Sequence, residues 1–167
     1  MYILYSDLVS NNILRYNNIW DDKIVSDDNL LNKDFVKLVY EIMHDNAEIG
    51  VLGGQSIADF DLSPAFWFND WKNSFTIGKQ SDNEGDITWT RGFVWGASMV
   101  VRKEAWKKLK SRGFKSLLTD RKGNTLSAGG DTEICYAVRN SGWKIWYDSR
   151  LKFKHHLPVE RLDWIYL

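Results

Sequence analysis

Ser127-Ala128-Gly129-Gly130-Asp131-Thr132-Glu133-Ile134-Cys135, followed a few turns later by Lys154-His155-His156, is the stretch on which the reading of the fold turns. A Gly-Gly break precedes a run in which Ile134, Ala137 and Val138 recur at helical spacing, so Asp131 falls where a loop or strand gives way to a helix over Asp131 to Asn140. Two roles are open to a carboxylate in that place. It can cap the helix, accepting hydrogen bonds from the first backbone N–H groups that lack a partner, or it can act as a base at a point where chemistry is commonly mounted.

Composition narrows the surroundings. A chain of 167 residues with 44% hydrophobic and 14% aromatic content is long enough for one folded domain with its own core, and 1–167 reads as a single domain. Lysine plus arginine equals aspartate plus glutamate at 22 each, so no global field draws in nucleic acid or an anionic membrane, and an anionic ligand must be held by a local site. Nucleic acid is therefore not an expected partner. The single cysteine, Cys135, excludes an internal disulfide and a cysteine-based zinc site, and its place on the apolar face of the helix makes it core. Met1 to Leu8 lacks the basic start and apolar run of a signal peptide, and no apolar stretch reaches membrane-spanning length. A cytoplasmic location follows as the expectation, with peripheral membrane contact left open.

Nine tryptophans stand against two prolines, and Trp67, Trp71, Trp89 and Trp95 fall in one loop-rich third of the chain. Such rings either fill an irregular core or stack on a ligand such as a sugar face. In chain order, segment 1–23 is polar and asparagine-rich, with at best a short helix over Asp7 to Arg15 and no evident role. Lys23 to Ser26 reads as a strand running into Asp27-Asp28-Asn29, where carboxylates at a strand end suit a metal or ligand, or form a polar turn. Asn32 is a candidate cap for a helix whose stripe is Phe35, Leu38, Val39, Ile42 and Met43, with His44 near its C-terminus in a structural role. Ile49 to Gly53 reads as a buried strand that ends in a glycine turn at Gly53-Gly54.

Ser56 to Gly85 keeps no period and carries Phe66, Trp67, Phe68, Trp71 and Phe75, which predicts a functional loop with one or two short helices. Ile87 to Thr90 and Phe93 to Val101 read as strands, a helix follows from Arg102 to Leu109, and Gly113 stops it. Beyond the Asp131 helix, Trp143 to Tyr147 and Leu151 to His155 read as two short strands, and Leu162 to Leu167 begin a last helix. The expected class is α/β, a mixed sheet layered with helices.

The order of these motifs resembles the second half of a family 2 glycosyltransferase domain of the GT-A fold, over residues 24–167. Val25-Ser26-Asp27-Asp28-Asn29-Leu30 is similar to the family's metal-binding strand end, and Ile49 to Gly54 to the strand that follows. Phe93 to Lys103 resembles the acceptor-side strand and the helix after it; Gly129-Gly130-Asp131-Thr132-Glu133 with Arg139 and Gly142 resembles the segment of the catalytic base. Lys152-Phe153-Lys154-His155 resembles the terminal strand whose histidine completes the metal site.

The resemblance implies a truncated GT-A-like fold, because segment 1–23 is too short for the family's opening βα units, and an apolar face left for the missing half would favour self-association. It implies transfer of a sugar, with inversion, from a nucleotide-sugar donor to a saccharide or lipid-linked acceptor. Asp131 would be the general base, and Asp28 and His155 would hold Mn²⁺ or Mg²⁺ on the diphosphate. Asp27 would bind the donor, and Trp67, Trp95, Gly96 and Glu133 the acceptor. Of another class is a silent carbohydrate-binding or assembly module in which the tryptophans hold sugar and Asp131 only caps its helix. A hydrolase using Asp27, Asp28 and Asp131 would need two carboxylates flanking one bond, a distance that sequence does not supply.

Overall fold

Two long parallel strands organise the protein. The structure, a computed structural model, describes residues 2–4, 29–118, 121–122, 125–126 and 129–162. Its elements run β1 (Tyr2–Leu4), β2 (Asn29–Leu31), α1 (Phe35–Asp45), β3 (Ile49–Phe60), α2 (Phe68–Trp71), β4 (Gly85–Asp86), β5 (Met99–Val101), α3 (Lys103–Ser111), β6 (Arg121–Lys122), β7 (Thr125–Leu126), α4 (Gly130–Asn140) and β8 (Lys144–Leu157). The main sheet is ordered β1-β5-β3-β8-β2, with β4 pairing on β8, and β6 and β7 form a separate hairpin. β3 is parallel to β8 and β1 to β5, whereas β5 runs antiparallel to β3 and both β2 and β4 run antiparallel to β8.

The helices cover both faces of this mixed sheet. Successive strand residues point to opposite sides, so Val51 and Leu52, or Val100 and Val101, enter different cores. On one side Phe35, Val39, Ile42 and Met43 of α1 pack with Ile49, Leu52, Val100 and Leu151. On the other, Ala105 and Leu109 of α3 and Ile134, Cys135 and Val138 of α4 pack with Val51, Val101, Ile145 and Tyr147. Arg102, buried at the junction of β5 and α3, ties the layers together. Its Nε donates to the Ile49 carbonyl at 2.6 Å and its Nη2 to those of Met43 at 2.6 Å and Asn46 at 3.0 Å. A cation is thereby set on the last carbonyls of α1, where the helix dipole favours it.

Several elements differ from the sequence reading, and each difference has a local cause. The expected glycine turn at Gly53-Gly54 does not form: β3 runs straight through both glycines to Phe60. A Cβ on Gly53 would meet Val94 Cβ at 2.6 Å, and one on Gly54 would collide with the Leu151 carbonyl oxygen. The pair therefore serves close approach within the sheet rather than chain reversal. The two strands expected at Trp143 to Tyr147 and Leu151 to His155 are one strand, β8, with a bulge: Gly53 faces Tyr147, but Gln55 already faces Lys152. Within that bulge Asp148 takes Arg150 in a two-toothed ion pair, Nη2 to Oδ2 at 2.6 Å and Nε to Oδ1 at 2.9 Å, which holds the extra residues in place.

Ile87 to Thr90 is a turn rather than a strand, closed by Gly92 N–H donating to the Ile87 carbonyl at 2.8 Å. Of Phe93 to Val101 only the last three residues are strand, preceded by a 3₁₀ turn at Gly96–Ser98. No side chain caps α1; Asp34, not Asn32, holds the N-cap position, and Asn32 contributes its backbone carbonyl to Phe35 N–H at 2.9 Å. Of the one or two short helices expected in the aromatic loop, there are α2 and a 3₁₀ turn at Lys72–Phe75. Tyr2–Leu4 joins the sheet beside β5, an element the polar composition of the first residues did not suggest. Segment 7–15, the strand at 23–26 and, beyond Leu162, the final helix expected over Leu162 to Leu167 lie outside the described residues.

Because the β3–β8 contact leaves no room at Gly54, Gly54→Ala should cost roughly 1–3 kcal/mol of stability, like other overpacked cores. A thermal melt should show the midpoint lowered by several degrees; an unchanged midpoint would mean that the strands can separate freely there.

Candidate functional site

Asp131 is the second residue of α4, entered through Gly129 in the left-handed region at φ 109°. A side chain at Gly129 would be strained by that angle and would press within 3.2 Å of Leu118 Cδ1, which explains the glycine. The Asp131 carboxylate bridges its own helix and a distant segment: Gly96 N–H donates to Oδ2 at 2.9 Å, while Thr132 N–H donates to Oδ1 at 2.7 Å. The Gly96 bond brings Asp131 and the Trp95-Gly96 segment together. Cys135, one helical turn on, lies beneath them in the core with Sγ 3.6 Å from Met99 Sδ. Burial pushes its thiol up to about 12, so it is apolar filling and not a nucleophile.

The Trp95-Gly96 segment is fixed from the other side by Gln80, a buried residue that sequence reading passed over. Gln80 Oε1 accepts from Trp95 N–H at 2.6 Å, and its Nε2 donates to the Gly54 carbonyl at 2.7 Å. Arg91 completes the cluster. Its Nη1 donates to the Gln80 carbonyl at 2.6 Å, and the guanidinium lies 4.4 Å from the Phe93 ring centre and 4.8 Å from that of Trp95. Burial lowers the Arg91 guanidinium below its ordinary value, with the Asp131 carboxylate pulling in the opposite direction. A chain of contacts thus runs from the central strand through Gln80 to Trp95-Gly96 and on to Asp131, with a cation stacked alongside. The one sequence signal for Gln80 was its position in a loop too long to be a simple connection.

The other acceptor candidates sit apart from this cluster. Glu133 is spent on a loop: its carboxylate accepts from Ser116 Oγ at 2.6 Å, Leu117 N–H at 2.9 Å and Leu118 N–H at 3.0 Å. The Ser116 hydroxyl first, then the backbone N–H groups, hold Glu133 below the usual carboxylate value. Trp67 belongs to a satellite cluster with Phe68, Phe75, Ile77 and Leu157 at the far end of β3 and β8. Its ring lies 6.2 Å from that of Phe75.

His155 lies on β8, opposite Ala58 of β3 and Asn29 of β2. Its Nδ1 approaches Asn29 Oδ1 at 2.6 Å; an amide oxygen can only accept, so Nδ1 carries the proton and coordination of a metal would fall to Nε2. His156 points elsewhere, its Nε2 lying 3.6 Å from Asp61 Oδ2. Asp27 and Asp28 lie outside the described residues. Asn29 follows Asp28 directly, so the chain reaches the His155 position at that point. Of the proposed donor set only the His155 imidazole is described, a ligand type that Mn²⁺ accepts. Among the described residues, no group of three or more His, Cys, Asp or Glu converges as a metal cage. No helix among them is long and apolar enough to cross a membrane. Compared with known proteins, the chain matches no family model and no curated protein.

The Glu133 contacts set a pH dependence. Its folded value lies below the ordinary 4.5, so the restraint on the 116–118 loop is complete above that pH and is lost as the pH falls through the lowered value. Hydrogen exchange at Leu117 and Leu118, corrected for the intrinsic rate, should therefore accelerate below pH 4.5 and stay flat above it. Flat protection down to the acid unfolding of the whole domain would remove Glu133 as the anchor.

Proposed function

We propose that this chain carries the acceptor side of an inverting, metal-dependent glycosyltransferase of the GT-A type, which takes a sugar from a nucleotide-sugar donor to a saccharide or lipid-linked acceptor. The observation that carries the reading is the 2.9 Å bond from Gly96 N–H to Asp131, which joins a carboxylate at a helix start to a tryptophan-bearing segment 35 residues earlier. In this reading the Trp95 ring bounds the acceptor sugar, and Asp131 takes the proton of the attacking hydroxyl as the new bond forms at the anomeric carbon. Gln80 and Arg91 keep the Trp95-Gly96 segment in register with Asp131. Asp28 and His155 would hold the divalent ion, which supplies positive charge to the departing diphosphate. His155 sits beside Ala58, four residues or roughly 13 Å along β3 from the Gly54 carbonyl that anchors Gln80. Donor and acceptor ends would thus lie along one strand.

One observation favours a second reading. Both Asp131 oxygens accept backbone N–H groups, as a purely structural carboxylate would, so a sugar-binding module without turnover uses the same contacts. Calorimetric titration with Mn²⁺ and then with uridine or guanosine diphosphate separates them. The transferase reading predicts nucleotide binding that requires the metal and is abolished by Asp28→Ala and by His155→Ala. Metal-independent binding of oligosaccharide with no nucleotide binding would favour the module.

A further inference from the structure

The zero net charge of the chain conceals a strongly cationic stretch. From Lys103 to Leu118 six cations, Lys103, Lys107, Lys108, Lys110, Arg112 and Lys115, face the single carboxylate of Glu104, a local net of +5 in a chain whose total is zero. Ala105 and Leu109 are buried, so α3 turns the opposite side to solvent. Lys103, Lys107 and Lys110, spaced i, i+4, i+7, form one row on that outer side. Lys108, off that row, donates to the Ser141 carbonyl just past the end of α4 at 2.9 Å. Trp106 flanks the row, with the Lys110 ammonium 5.7 Å from its ring centre and Phe114 edge-on at 6.1 Å.

The chain that leaves α3 continues the charge and adds apolar tips. Arg112 and Lys115 are exposed, and beyond them Leu117 is 86% and Leu118 45% exposed. Glu133 holds both of their backbone N–H groups and so fixes the segment; Leu117 is the more exposed of the two, while the Leu118 tip lies close to Gly129. A cationic helix face followed by two exposed leucines has the features of a surface that lies on a bilayer. The lysines meet anionic headgroups while the leucines and the rim of Trp106 enter the interface. A phosphate backbone would use the same cations but would gain nothing from Leu117 and Leu118.

We propose that α3 and the loop to Leu118 form a docking surface for a bilayer that carries anionic phospholipid. The test is sedimentation of the intact chain with vesicles of phosphatidylglycerol mixed into phosphatidylcholine, against vesicles of phosphatidylcholine alone. Binding should occur only to the anionic vesicles and weaken with salt. Each cation near such a surface contributes about five-fold to partitioning, so Lys107→Glu/Lys110→Glu/Lys115→Glu should lose roughly 100-fold or more. Leu117→Ser should lose several-fold at unchanged salt dependence, and a thermal melt establishes that both variants are folded. Failure of the wild-type chain to bind anionic vesicles at low salt would overturn the proposal, as would full binding by the folded triple variant. Equally tight binding to a DNA duplex, lost in the same triple variant and indifferent to Leu117→Ser, would replace the bilayer with a nucleic acid.

Discussion

At Gly54 the central strand comes so close to Leu151 of β8 that no side chain fits between them, and the rest of the protein is hung from that approach. Removing the side chains at Gly53 and Gly54 lets Val94 lie over the strand and leaves the Gly54 carbonyl open to Gln80. Gln80 then sets Trp95 with its other amide atom, and Gly96 meets Asp131. A buried amide that satisfies donor and acceptor at once is costly to leave half-paired, so each of these bonds enforces the next. The candidate base is placed less by its own helix than by this relay from the sheet. Arg102 plays the matching part on the other side of β3, where it locks α1 onto the sheet.

Electrostatics divides the molecule into regions with different tasks. Beside the candidate site, the half-buried Arg91 lies close to the Phe93 and Trp95 rings and is drawn towards Asp131, a charge held near a candidate reacting group. On the surface, the outer side of α3 gathers like charges that its own helix does not neutralise. Compensating acidic residues elsewhere bring the total to zero, so the summed charge says nothing about how either region behaves.

The parts of the fold that were legible in sequence are those with a strong period. The α1 stripe, the stop at Gly113 and the helix after Gly129-Gly130 follow from side-chain spacing and from backbone that only glycine adopts easily. What escaped reading depends on partners distant in the chain. Gly53-Gly54 looks like a turn until Leu151 is seen to occupy the space, and β8 looks like two strands until its bulge is paired against Gln55. Of the candidate site, Asp131 at a helix start and His155 on a strand follow from the sequence pattern, whereas the bond that joins Asp131 to Gly96 does not. Gln80 and Arg91 carry no local pattern and emerge only from contacts across 11 to 26 residues. Glu133 illustrates the reverse: a motif residue whose carboxylate is occupied in holding a loop.

The account rests on Asp131 acting as a base, and the release of nucleoside diphosphate tests it most directly. With Mn²⁺, a panel of nucleotide sugars and saccharide acceptors, the wild-type chain should release product at a rate that Asp131→Asn lowers by about 10²–10⁴, the range of a lost general base, while its melting midpoint stays close to wild type. Turnover by a folded Asp131→Asn chain at the wild-type rate would contradict the account and leave Asp131 as the structural link between α4 and Gly96.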